Sequence, residues 1–270
     1  GDLNNDGYAD LVYGAGSGVS IMISEEGGLS YTEHSGPEYV FSQRTNMIDI
    51  NNDGNLDVFV CHDVDPNVYY LNDGNGNMIF FQGGLGDTPQ GGNYGSVWID
   101  YDNDNDMDLF IAKCGADPWN QLHRNDGNGG FTDVTAETGL TSNVQTWSSA
   151  WADYDNDGDK DLFVVGEWMP LTLIKNYNGI LKKEKLNDSC DEINGWWYSI
   201  ESADFNNDGQ EDLVLGNLGK NYKYQANKEE PFEVFYDDFD ENGSKDIVLA
   251  YYNYGIQFPL RGFSCSSQQV

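Results

Sequence analysis

The side chains with the clearest chemistry in this chain are carboxylates and carboxamides, which recur at alternate positions of a nine-residue phrase that appears six times. Position 1 is Asp2, Asp49, Asp100, Asp153, Asp204 and Asp238. Position 3 is Asn4, Asn51, Asp102, Asp155, Asn206 and Asp240, and position 5 is Asp6, Asp53, Asp104, Asp157, Asp208 and Asn242. Position 9 is aspartate every time, at Asp10, Asp57, Asp108, Asp161, Asp212 and Asp246. In a tight loop the oxygens at 1, 3 and 5 converge on one point. A backbone carbonyl at position 7 (Tyr8, Asn55, Asp106, Asp159, Gln210, Ser244) and the carboxylate at 9 complete an oxygen cage that suits Ca²⁺. The phrases therefore predict up to six Ca²⁺ sites.

The type of loop follows from what comes next. An EF-hand shares positions 1, 3 and 5 and the glycine at 6, but it needs a bidentate Glu at position 12 between two helices. Position 12 here is Tyr13, Val60, Ile111, Val164, Leu215 and Leu249, which belong in strands and exclude the helical loop. Glycine at position 6 permits a left-handed backbone, and Asn105 in the third phrase is the next best residue for it. With four ligand aspartates each, the third and fourth loops are expected to bind most tightly, and the sixth, with Asn242 at position 5, more weakly. All protein ligands come from the loop itself, so the metal has a structural role and offers no open position to a substrate.

The elements that must carry these loops are short strands. The first aspartates of successive phrases lie 47, 51, 53, 51 and 34 residues apart, a period that means a repeat architecture. In the third period Gly95–Asp100 runs into the loop, Asp108–Lys113 leaves it, and Asn120–Arg124 follows. A hairpin turn at Asn125–Gly129 then leads to Phe131–Thr135. The second period repeats the order with Val68–Leu71, the turn Asn72–Gly76 and Met78–Phe81. The fourth repeats it more loosely with Leu171–Ile174, a turn at Asn178–Gly179 and a strand from Ile180. Four antiparallel strands in about 50 residues make the blade of a β-propeller. The expectation is an all-β chain, a single propeller domain over residues 1–270, with partial first and last blades and few helices. It starts at Gly1 inside the first phrase, as a processed product or a piece of something longer would.

Composition narrows the function. Hydrophobic residues make up 39% of the 270, with 17 Tyr, 13 Phe and 7 Trp, which argues for a folded core. The net charge of −33 repels nucleic acid phosphate and anionic membranes, and 20 of the 46 acidic residues sit at positions 1, 3, 5 or 9 of the phrases. The charge is thus mostly a metal requirement. No run of 18 apolar residues exists. Millimolar Ca²⁺ points to an extracellular or periplasmic setting. Cys61, Cys114, Cys190 and Cys265 lack metal-site spacing and are open to two disulfides or to four buried thiols.

Catalytic signatures are missing from the sequence. His34, His62 and His123 fall in different repeats without a matched nucleophile, and His62 and His123 read as structural, in or beside strands. Gly14–Gly18 reads as a turn. Trp98, Trp151 and Trp197 lie near the loops and are expected to pack between blades. Trp147, Trp168 and Trp196 are assigned to loops that offer a sugar-stacking or protein-binding face. Seven of the 13 basic residues fall between Lys175 and Lys228 and read as a solvated edge.

The DxDxDGxxD loop between strands, the period near 50 and the Asn-Asp-Gly-Asn-Gly hairpin before Phe131-Thr-Asp-Val134 resemble the FG-GAP/VCBS repeat. That repeat is found in integrin α-subunit propellers, cartilage acidic proteins and secreted bacterial proteins. The segment Asp204 to Cys265 further resembles VCBS-repeat proteins of Bacteroidetes. The resemblance implies a Ca²⁺ propeller, seven-bladed when complete, displayed outside the cell or at its surface for adhesion. Its partner would be an extracellular protein or glycan. The leading expectation is a non-enzymatic binding module. The alternatives are a polysaccharide-active enzyme of the propeller-lyase kind, which the negative charge disfavours for polyanionic substrates, and a spacer within a larger surface protein.

Overall fold

In the computed structural model of the protein the described residues are 1–25, 27–87, 92–113, 119–127, 129–140, 146–186, 194–221 and 224–261. Cys114, Cys190 and Cys265 lie outside them, as does the side chain of Trp168. Two compact units, Gly1–Asn217 and Leu218–Val270, make up the chain.

In the first unit the repeats become sheets. The first sheet has three strands, β1 (Leu11–Ala15), β2 (Gly18–Glu25) and β3 (Ser30–Glu33). The second is β4 (Ser42–Ile48), β5 (Asp57–His62), β6 (Val68–Asn72) and β7 (Met78–Gln82). The third is β8 (Asn93–Ile99), β9 (Asp108–Lys113), β10 (Gln121–Asn125) and β11 (Phe131–Asp133). The fourth is β12 (Thr146–Ala152), β13 (Asp161–Met169), β14 (Thr172–Tyr177) and β15 (Ile180–Glu184). A further pair, β16 (Gly195–Ala203) and β17 (Asp212–Asn217), joins the fourth sheet through Glu167↔Trp196 and Met169↔Gly195. All pairings are antiparallel, and the four-stranded meanders are the blades of a β-propeller. The second unit contains a 3₁₀ turn at Gly219–Asn221 and a three-stranded sheet, β18 (Glu233–Asp237), β19 (Asp246–Asn253) and β20 (Ile256–Pro259).

Burial follows from blade stacking. An inner strand of a blade is covered on both faces, so β5 and β9 are buried at every residue and read as continuous apolar runs. Each hydrophobic cluster of the first unit is an interface between neighbouring blades. Ile21 meets Val58 and Val60, Phe59 meets Leu109 and Ile111, Phe110 meets Trp151 and Leu162, and Phe163 meets Ile200. Trp98, Trp151 and Trp197 pack in these clusters, as expected. Cys61 is a buried free thiol within β5, and burial pushes its pKa up to about 11.

One expectation is corrected. Trp147 and Trp196 are strand residues of β12 and β16, and Trp168 belongs to β13. The fourth and fifth repeats start their strands earlier than the apolar residues beside the metal phrases suggest.

Candidate metal-binding loops

The second to sixth phrases join two strands and the first leads into β1, and all six share one backbone scaffold. The position-1 carboxylate accepts the backbone N–H of positions 5 and 6. In the first loop Asp6 N and Gly7 N reach Asp2 at 3.1 and 2.8 Å, and in the sixth Asn242 N and Gly243 N reach Asp238 at 3.0 and 2.9 Å. The second to fifth loops do the same through Asp49, Asp100, Asp153 and Asp204. Position 5 then accepts the N–H of position 7 in every loop, at 2.8–3.0 Å. Such side-chain-to-backbone bonds let aspartate and asparagine dictate a turn locally. Position 6 is left-handed throughout, including Asn105 at φ 72°.

Position 4 is left-handed as well, a feature the sequence reading missed. Asn5, Asn52, Asn103, Asn156, Asn207 and Glu241 have φ between 57° and 62°. Asparagine in five of the six copies was the available signal, because it tolerates that region better than other non-glycine residues. Three of these asparagines also link successive loops by donating to the next loop's position-7 side chain. Asn5 Nδ2 reaches Asn55 at 3.2 Å, Asn52 Nδ2 reaches Asp106 at 2.9 Å and Asn103 Nδ2 reaches Asp159 at 3.1 Å.

Position 9 does more than close the cage. Its Oδ2 accepts the N–H of position 2 in all six loops, at 2.6–3.2 Å. In four repeats Oδ1 also accepts an N–H further along the same blade, from Ser24, Asn72, Asn125 and Asn176. Three of those partners are buried asparagines, and two of them tie neighbouring blades together. Asn72 Nδ2 donates to Leu56 O in its own loop and to Leu3 O in the preceding one, and Asn176 Nδ2 does so with Lys160 O and Tyr101 O. Asn125 donates to Met107 O. The hairpin turns close on the same residues, since Gly74, Gly127 and Gly179 donate N–H to their Oδ1.

The donor set is all oxygen, which suits a hard cation. Carboxylate oxygens lie within 4.8 Å of one another in three groups, Asp100–Asp102–Asp108, Asp153–Asp155–Asp157 and Asp238–Asp240–Asp246. In the third loop Asp102 Oδ1 is buried and has no hydrogen-bond donor. Desolvation by burial pushes Asp108 up to about 7 and Asp57 to about 6, against the opposing pull of backbone N–H bonds. It also raises Asp102 and Asp161. Buried carboxylates crowded together, with Arg124 offsetting only part of the charge around Asp102, fit a site made to hold a cation.

The fourth loop differs. Lys175 is not part of a solvated edge, as its sequence neighbourhood suggested. Its ammonium donates to Asp155 and lies 3.6 Å from Asp157, and that hydrogen bond holds Asp155 below the usual carboxylate range.

The histidines do not converge. His34 follows β3, His62 ends β5 with its ring 5.9 Å from that of Tyr39, and His123 Nε2 lies 3.2 Å from Gln121 Oε1 on β10. Burial lowers the pKa of both His62 and His123. At the blade ends away from the loops, where the first strands begin, Trp147 and Tyr198 pack with ring centroids 4.9 Å apart. Tyr94, Trp119 and Tyr198 are exposed there.

A family model described as an FG-GAP-like repeat matches four times, over residues 2–60, 49–111, 100–164 and 153–215. Each match runs from one loop through the second strand of the next repeat. Among solved structures the chain is similar to a lectin of Agrocybe aegerita, described as recognising non-reducing terminal N-acetylglucosamine. The TM-score is 0.54 at 15% identity, over 92% of this chain and 74% of that one. No curated protein matches.

Proposed function

Because the chain belongs to the FG-GAP-like repeat family, we propose that it is a non-enzymatic, extracellular Ca²⁺-binding propeller that recognises a protein or glycan in adhesion. The observation that carries the metal reading is the shared loop scaffold, with converging carboxylates and a buried donor-less oxygen on Asp102. Calcium would be held by positions 1, 3, 5, 7 and 9 and would supply positive charge between the first and second strands of each blade. The chain does the rest. Position 1 shapes the turn, position 9 ties the loop to the blade, and the buried Asn72 and Asn176 bolt their blades to the preceding ones.

A partner would then engage the ends of the blades opposite the loops. Trp147, Tyr198, Tyr94 and Trp119 provide rigid aromatic area there, the kind that stacks on sugar rings or anchors proteins. The likeness to a lectin supports a glycan as one class of ligand. An extracellular setting agrees with loops of this type, which are tuned to the high Ca²⁺ outside cells.

The test has two parts. Calorimetry with mass spectrometry should count several Ca²⁺ per chain, and a count of zero with an unchanged melting temperature in EDTA would remove the metal reading. Glycan-array and cell-surface binding should survive with Ca²⁺ and fall when Trp147 or Tyr198 is changed to Ala. Binding indifferent to both changes would place recognition elsewhere.

A further inference from the structure

Among the metal loops, the fourth already holds a cation of its own. Lys175 lies on β14 one residue before Asn176, whose backbone N–H meets Asp161. Its side chain is only 17% exposed, with the ammonium bonded to Asp155 at position 3 and 3.6 Å from Asp157 at position 5. The Tyr177 ring centroid, 5.0 Å from Nζ, flanks it.

The same register in the other blades is occupied differently. Ile23 and Leu71 are apolar. Arg124 is charged, but its Nε and Nη2 donate at 2.9 and 2.7 Å to Asp126 in the hairpin turn. Arg124 therefore acts on the third loop only through its charge at a distance, and Asp102 Oδ1 stays buried without a donor, although the four aspartates match those of the fourth loop.

We propose that Lys175 is a built-in competitor for the metal at the fourth loop, which a divalent ion must displace from Asp155 and Asp157 in order to bind. The inference rests on the calcium reading given above. An ammonium is a compact point charge on a flexible stem, so it satisfies two carboxylates without fixing their geometry and can swing away when a better cation arrives. Displacement breaks a charge-assisted hydrogen bond, and a lysine left nearby repels the incoming ion. Counting aspartates ranks the third and fourth loops together, whereas the placement of Lys175 ranks the third above the fourth.

The experiment uses the full chain, stripped of metal and titrated with Ca²⁺ by calorimetry, with bound ions counted by native mass spectrometry. In Lys175→Met one site should tighten by about tenfold or more, and Asp155→Asn in the same background should abolish that gain. Lys175→Arg, which keeps the charge, should titrate like the parent. Should Lys175→Met fail to fold by far-UV circular dichroism, Lys175→Gln removes the same charge and is read in the same way. Unchanged or weakened binding in the charge-removed variant overturns the competitor role. Absence of Ca²⁺ binding in both the parent and the charge-removed variant overturns the calcium reading itself.

Discussion

The third and fourth loops carry the same four ligand aspartates on the same scaffold, and burial raises position 9 in both, yet they treat the position-3 charge in opposite ways. In the third, burial pushes Asp108 up to about 7, and Asp102 keeps a buried oxygen with no donor. In the fourth, Lys175 reaches across from β14 and draws Asp155 down. Two sites that look equal by composition are thus a carboxylate cluster in need of a cation and one that is partly self-neutralised. A local motif sets the shape of a site, while the charge that faces it comes from another strand.

The sharpest way to break this comparison is to cut what the two loops share. Asn176 Nδ2 donates to Tyr101 O in the third loop and Lys160 O in the fourth, and its N–H bonds Asp161. Asn176→Leu should cost about 3–5 kcal/mol in urea denaturation, because it orphans buried backbone groups of both loops. A loss under about 1 kcal/mol would mean that the blades do not depend on this residue.

A second test uses pH in EDTA. Asp108 is pushed up to about 7 in the folded chain and has an ordinary carboxylate value when unfolded, so between about 4 and 7 the folded state binds more protons. Stability should therefore fall as pH rises through that window, by roughly 2 kcal/mol once solvent relaxation is allowed for. Saturating Ca²⁺ should flatten or reverse the slope by holding the carboxylates ionised. Asp108→Asn should remove more of the slope than Asp155→Asn, and equal effects would erase the contrast between the loops.

The third test predicts opposite signs. At neutral pH without metal, Asp102→Asn should stabilise the fold by up to about 1 kcal/mol, because it removes a partly desolvated charge repelled by Asp100 and Asp104, which the Arg124 charge only partly offsets. Asp155→Asn should destabilise it, because it takes the closer of two carboxylates from Lys175 and leaves only Asp157 at 3.6 Å. Thermal melts of both variants in EDTA decide this, and equal signs would sink the comparison. The smallest expected effect is at Asn103, whose side chain spans the two loops. Asn103→Gly keeps the left-handed backbone accessible and should cost only about 0.5 kcal/mol by chemical denaturation. A cost several times larger would give this link a weight comparable to that of the buried asparagine.

The loops were legible in the sequence because their chemistry is local. Positions 1, 5 and 9 bond backbone groups a few residues away, so spacing alone carries the geometry. The blade was legible because strand, loop and hairpin recur in a fixed order. Cross-strand information was not. Asp155 and Lys175 lie 20 residues apart and meet only when β13 pairs with β14. A run of lysines in sequence gives no hint of that encounter. Asn72 and Asn176 were hidden for another reason, since good hairpin residues explain themselves before their blade-to-blade bonds are seen. Trp147 and Trp196 were misplaced because their strands begin well before the loop-proximal apolar residues.

The asparagine links between loops have a direction. Asn5, Asn52 and Asn103 each donate forward to the following loop, so each of the first three junctions has a sending and a receiving side. At the next junction Lys160 and Glu211 stand 3.4 Å apart, and both are partly exposed. Exposed ion pairs are screened by salt, and hydrogen bonds from a neutral amide, whether to the Asn55 amide or to the Asp106 and Asp159 carboxylates, are affected less. Ionic strength therefore acts selectively on the row, loosening the junction between the fourth and fifth loops while the first three hold.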